Sequence, residues 1–95
     1  MPTTTVRWTE PAARDLTNIC DYLVEKASAE VARRTAISIV DATDSLSQFP
    51  NRGRTGRRMG TRELILSHLP YIAIYRMRGD VVDVLRILHG ARKWP

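Results

Sequence analysis

His89, Arg92 and Lys93 fall within one short run, His89-Gly90-Ala91-Arg92-Lys93-Trp94-Pro95. These residue types suit work on an anion. An imidazole, with an ordinary pKa of about 6.5, can give or take a proton near neutral pH. Guanidinium and ammonium groups can steady a negative charge as it develops. His89 is the candidate for proton transfer, with Arg92 and Lys93 placed to steady the charge that develops. Lys93 and Trp94 are candidates for contact with a target or partner. Quieter readings stand beside these: His89 as a structural residue closing a strand end, and Trp94-Pro95 as a cover for the edge of the core.

A second cluster lies in Asn51 to Gly60, NRGRTGRRMG, which holds Arg52, Arg54, Arg57 and Arg58, three glycines and no acid. Glycine opens the backbone to close approach and arginine supplies charge, a combination that can cradle phosphates. The spacing matches no Walker-type phosphate loop, so a solvated loop and a binding surface both stay open. Arg62, Arg76 and Arg86 on the segments that follow are further binding candidates, and Tyr75 is a candidate for the same face. His68 and His89 are the only histidines and Cys20 the only cysteine, with no ligand spacing among them. No metal and no cofactor is expected. Cys20 sits on an apolar helical stripe and reads as an inert buried thiol.

The charge is uneven. Residues 1–50 hold five Lys/Arg against seven Asp/Glu, a net of −2, while residues 51–95 hold ten against three, a net of +7. Thirteen of the fifteen cations are arginine, whose planar fork fits carboxylates and phosphates. The expected partner is therefore acidic: nucleic acid, a nucleic-acid enzyme or an acidic peptide. No apolar run approaches the roughly 20 residues of a membrane span, and MPTTTVRW lacks the apolar centre of a signal peptide. A single cysteine fits a reducing compartment, so a cytoplasmic location is expected.

The elements that must position these residues follow from periodicity. Tyr71 to Arg78 and Val81 to Leu88 are rich in Val, Ile, Leu and Tyr, types that fit a half-buried pleated surface. Gly79-Asp80 between them makes a two-residue hairpin turn. Ile72 and Ile74 point one way, with Tyr71, Ala73 and Tyr75 the other; Val82, Val84 and Leu88 share one face of the second strand. Thr3 to Trp8 and Thr61 to Ser67 are further strands. Thr9 caps a helix with a stripe at Ala12, Leu16, Ile19 and Leu23, ending near Lys26. Ser28 caps a second, striped at Ala32, Ala36, Ile39, Thr43 and Leu46 and reaching about Gln48. Asp15, Asp21 and Glu25 on the first helix read as a solvated face. Ninety-five residues make one domain, residues 1–95. The order is β-α-α-β-β-β, an α+β domain with an antiparallel helical hairpin on one face of a small, mainly antiparallel four-stranded sheet. The place of the first strand in that sheet is left open.

Together, VRWTEPAARDL at Val6 to Leu16, the following DYL, GTREL at Gly60 to Leu64, PYIAIYR at Pro70 to Arg76 and RILHGARKWP at Arg86 to Pro95 resemble the RelE/ParE toxin superfamily of bacterial toxin–antitoxin modules. The resemblance covers nearly the whole chain. It implies a small cytoplasmic toxin neutralised by a cognate antitoxin, which would wrap an acidic or amphipathic segment around the basic face and the helices. RelE-like members cut mRNA on the ribosome without metal; ParE-like members block DNA gyrase. The cutting members place lysines on the strand that here reads Glu63-Leu64-Ile65-Leu66, and an arginine where this chain has Ile72 after Tyr71. Both requirements are missing. The resemblance thus implies a ParE-like, non-enzymatic gyrase inhibitor. The alternative is a ribosome-dependent mRNA endonuclease using His89 and Arg92, and a third is a degenerate toxin that only pairs with its antitoxin.

Overall fold

Two hydroxyls start the helices. Thr9 Oγ1 accepts from the Ala12 amide at 3.3 Å and opens α1, Glu10–Lys26; Ser28 Oγ accepts from Val31 at 3.1 Å and opens α2, Ala29–Asp44. Each satisfies an amide that has no partner in the first turn. Glu10 and Glu30 in the first turns and Lys26 in the last turn of α1 complement the helix dipole. The second helix stops sooner than its pattern predicts. It tightens into a 3-10 turn, Ser45–Ser47, where the Ser45 and Thr43 hydroxyls bond back to Ala42 and Val40 carbonyls. Such back-bonding competes with the regular ladder.

The computed structural model describes residues 4–90 of the chain. The strands are β1 Thr5–Trp8, β2 Arg54–Thr55, β3 Thr61–Ile65, β4 Tyr71–Arg78 and β5 Val81–His89. They form one sheet in the order β1-β5-β4-β3-β2. The sheet therefore has five strands rather than four, the extra one being the two-residue β2 that pairs Arg54 with Glu63 and Thr55 with Arg62. β1 lies parallel to β5, Thr5 beside Val81 through Trp8 beside Val84, and every other pair is antiparallel. The hairpin turn has positive φ at Gly79 alone, the pattern of a II′ turn.

The hairpin carries one irregularity that sequence alone did not place. Tyr75 faces Val84 and Ile74 faces Arg86, so Leu85 has no partner across the pair. One extra residue shifts the alternation of faces. Val82 and Val84 join the helix-side core before the bulge, but Ile87 takes that role after it, and Leu88 turns to the opposite face. The expected grouping of Leu88 with Val82 and Val84 is thereby corrected. Thr9 fixes the bulge: its hydroxyl sits between the Val84 and Leu85 carbonyls, 3.1 and 3.0 Å away.

Both helices pack on one face. Ala12, Ile39 and Leu46 meet Leu64, Leu66, Tyr71, Ala73, Tyr75, Val82, Val84 and Ile87, with Leu16 and Ile19 alongside. Fully burying an aliphatic or aromatic side chain contributes about 1.5–3 kcal/mol each. Ala12 and Ala32 sit where the helices approach their neighbours closely, both essentially inaccessible. Asp15 departs from the solvated reading. Its Oδ2 accepts from Arg86 Nε at 2.7 Å and from the Ile87 amide at 2.9 Å. β1 ends opposite Val84, so α1 supplies the acceptor that a longer β1 would have provided to β5. No described helix is long and apolar enough to cross a membrane.

Candidate functional site

The arginine loop is tied down, and the GTREL run is what ties it. Gly60 has φ +81, a conformation glycine accepts freely, and turns the chain into β3. The Thr61 hydroxyl donates to the Arg58 carbonyl at 2.6 Å, while its own carbonyl accepts from Gly56 at 2.8 Å. Arg62 donates to the Gly53 carbonyl at 2.7 Å. Glu63, almost buried, takes Arg54 Nε at 3.2 Å and Nη2 at 3.0 Å on one oxygen. Leu64 anchors the strand in the core. Beneath them the fully buried Tyr75 hydroxyl accepts from the Gly53 amide at 2.8 Å and donates to the Pro50 carbonyl at 2.7 Å. Burial raises its pKa and keeps it a phenol. A Cβ on Gly53 would lie 2.7 Å from Tyr75 Cε1, so only glycine fits. This geometry fixes the loop and leaves Arg57 exposed upon it.

His89 closes β5 opposite Tyr71, and the two rings meet edge to face with centroids 5.9 Å apart. It remains exposed. On the helix side it borders an open groove of about 510 Å³ with Asp15, Asn18 and Tyr22 of α1 and Pro70 and Tyr71 of the sheet. On the other side His89 and Gly90 line a small cleft of about 40 Å³ with Arg54, Arg57, Glu63 and Leu88. The structure thus brings His89 together with Arg54 and Arg57, which stand more than thirty positions away in sequence.

Other candidates go elsewhere. Arg86 turns to Asp15, bound through Nε at 2.7 Å and Nη2 at 3.1 Å, and that hydrogen bond holds its pKa up. Tyr75 belongs to the core. Arg76 lies two strand positions beyond Ile74, beside Asp83 at 3.7 Å. Arg92, Lys93 and Trp94 lie outside the described residues. Cys20 is half-buried, and burial with Asp21 nearby raises its pKa, which disfavours a reactive thiolate.

The sheet face away from the helices has two parts. One contains the positions where a nuclease of this superfamily resemblance would carry cations. There Ile65 pairs with Ile72, Ile72 with Leu88, and Glu63 with Ile74, leaving aliphatic side chains and a carboxylate already paired with Arg54. The other contains Asp83, nearly buried, which accepts from Arg78 Nε at 2.8 Å and Nη2 at 3.3 Å with Arg76 and Arg7 beside it. The Arg78 hydrogen bond, followed by the charges of Arg78, Arg76 and Arg7, outweighs burial and lowers the carboxyl pKa. Of this cluster, residue type singles out Arg76 alone; Arg7, Arg78 and Asp83 join it through the strand register. Its signal was present: a two-residue turn at Gly79-Asp80 sets Arg78 opposite Val81 and therefore Arg76 opposite Asp83.

Comparison with known proteins agrees with the geometry. Residues 6–94 match the family model described as the ParE toxin of the type II toxin–antitoxin system parDE. The Y4kP protein of Sinorhizobium fredii is 41% identical over 90 residues, covering 95% of this chain and 92% of that protein. Toxin RelE2 of Caulobacter vibrioides is 39% identical over 87 residues, covering 92% and 96% respectively. Among solved structures, the chromosomal ParDE toxin–antitoxin system of P. aeruginosa superposes with a TM-score of 0.88 at 32% identity, over 94% of this chain and 98% of that one. The helical hairpin, the mixed sheet and the matched sequence all lead to one family: this chain belongs to the ParE toxins of type II toxin–antitoxin systems, within the RelE/ParE superfamily.

Proposed function

We propose that this toxin stops growth by binding and blocking DNA gyrase, without cutting RNA, and that a cognate antitoxin neutralises it. The observation that carries the reading is the composition of the helix-free sheet face. Cleaving RNA without metal needs cations placed at the scissile phosphate. At Glu63, Ile65 and Ile72 this chain offers a paired carboxylate and two aliphatic side chains instead. The contact surface would be the fixed loop with Arg54, Arg57 and Arg58, together with Arg62, Arg76 and Arg86 where their forks reach solvent, and Lys93 and Trp94. The antitoxin has apolar area to cover as well, because Tyr22, Val24, Ile37 and Val40 stay exposed on the helices. The likeness to a ParDE system supports an antitoxin partner.

Supercoiling by purified gyrase tests this directly. Stoichiometric toxin is expected to inhibit it and added antitoxin to restore it; full supercoiling under a large excess of toxin removes the proposal. A second reading keeps one observation in its favour: His89 is exposed beside Arg54 and Arg57, and the chain is also similar to a protein named RelE2. In it, His89 moves the proton and Arg92 steadies the phosphate on ribosome-bound mRNA. Primer extension on mRNA from induced cells separates the two, since cuts in phase with codons that disappear with His89→Ala belong only to the nuclease.

A further inference from the structure

We infer that Arg7, Arg76 and Arg78, gathered on Asp83, form a phosphate-binding patch by which this toxin contacts the backbone of duplex DNA directly. Three strands supply it. Arg7 on β1 and Arg76 on β4 are the register neighbours of Asp83 from either side, and Arg78 reaches the same carboxylate diagonally. Strand spacing puts the Cα atoms of Arg7 and Arg76 about 10 Å apart, and Arg76 and Arg78 about 7 Å apart.

Asp83 is the organising group. It is 7% exposed, while the Arg76 and Arg78 side chains are 52% and 55% exposed. The carboxylate neutralises one cation of three and leaves the others an excess of positive charge. It also uses only part of the donor capacity. Arg78 spends Nε and Nη2 on it and keeps Nη1, and Arg76 comes to 3.7 Å through Nε, beyond hydrogen-bond reach. A guanidinium whose fork is already oriented loses less entropy on meeting an anion. This is the arrangement that suits bidentate phosphate contacts.

The surroundings favour duplex over the alternatives. Single strands are held by stacking on aromatic rings. Among the described residues, Trp8, Tyr71 and Tyr75 face the helices, Tyr22 lies on α1, and Phe49 follows the 3-10 turn. A protein segment would draw on buried apolar anchors, and among the described residues the patch centres on charged side chains, with half-buried Val81 beside them. What remains is charge spaced along and across neighbouring strands, suited to a backbone read without regard to sequence. The contact stands apart from the gyrase reading, since it concerns the toxin alone on DNA.

The test is fluorescence anisotropy of labelled duplex DNA with the purified full chain across a salt series. Three phosphate contacts predict a log–log slope near −2.7, about a 40-fold loss of affinity between 50 and 200 mM salt. Arg76→Gln/Arg78→Gln is expected to cut the slope to about −0.9, and the same salt change then costs about 3.5-fold. Arg7→Gln, which leaves the Asp83–Arg78 pair intact and so protects the fold, is expected to lower the slope by about 0.9. Arg14→Gln/Arg33→Gln on the helices is expected to change nothing. The inference is overturned if no duplex binding occurs at low salt, if Arg7→Gln leaves the slope unaltered, or if the helix variant weakens binding equally. Displacement of the duplex by a charge-matched polyglutamate at lower concentration than unlabelled duplex would also overturn it, in favour of an acidic protein partner.

Discussion

Replacing Tyr75 with phenylalanine removes one oxygen and keeps the buried ring, which makes it a clean probe of the arginine loop. The hydroxyl makes two bonds, 2.8 Å from the Gly53 amide and 2.7 Å to the Pro50 carbonyl. Pro50 is half-buried, so its carbonyl can turn to water and the loss there is about 1 kcal/mol. Gly53 is buried, and its amide is left with no acceptor, a further loss of about 2 kcal/mol. The sum, about 3 kcal/mol, corresponds to a fall in Tm of roughly 12–24 °C for a domain of this size. Urea denaturation measures the first figure. Amide hydrogen exchange across residues 50–60 measures where it acts, and protection at Gly53 should fall more than protection in α2. If Tyr75→Phe costs under about 1 kcal/mol and exchange at Gly53 is unchanged, packing of the ring holds the loop and the hydroxyl clamp is wrong. Growth inhibition by the variant reports on function, because a loosened loop disperses Arg54, Arg57 and Arg58.

Three further outcomes are expected. Asp15→Ala strips the acceptor from Arg86 and from the Ile87 amide; with the Arg86 side chain 26% exposed, the loss should be about 2–3 kcal/mol in urea denaturation, well above that of the exposed pair Arg14–Glu10. Asp83 has a lowered pKa in the folded chain, so the unfolded chain takes up its proton first as pH falls. Its contribution to stability is full above about pH 4 and disappears as the folded carboxyl protonates; Asp83→Asn should be less stable at neutral pH and show a flatter acid limb in thermal melts. Removing residues 91–95 takes away Arg92, Lys93 and Trp94; the shortened chain should keep its cooperative melt yet no longer arrest growth, and arrest that persists would place the target contact elsewhere.

Much of this architecture could be read from the chain because it rests on short-range rules. The capping hydroxyls of Thr9 and Ser28, the stripes of the two helices and the Gly79-Asp80 turn each act within a few residues of themselves. The Leu85 bulge was not legible, since it depends on Thr9 reaching carbonyls 75 and 76 residues away. β2 was not legible either: two residues carry no periodicity, and they become a strand only because Glu63 and Arg62 stand beside them. The grouping of candidate cations changed for the same reason. Arg62 and Arg54 came forward as binding residues by type, and the fold gives both a structural bond as well.

The amino-acid order by itself determined the two helices, the central hairpin, the excess of arginine in the second half and the absence of cations at Glu63, Ile65 and Ile72. Those properties follow from local backbone preference and from side-chain type. Only the folded sheet decided which charges meet: Asp15 with Arg86, Glu63 with Arg54, and Asp83 with the arginines of two flanking strands. Charges attract through space over a few ångströms, and the sheet's register, with one bulge in it, sets those distances between residues far apart along the chain.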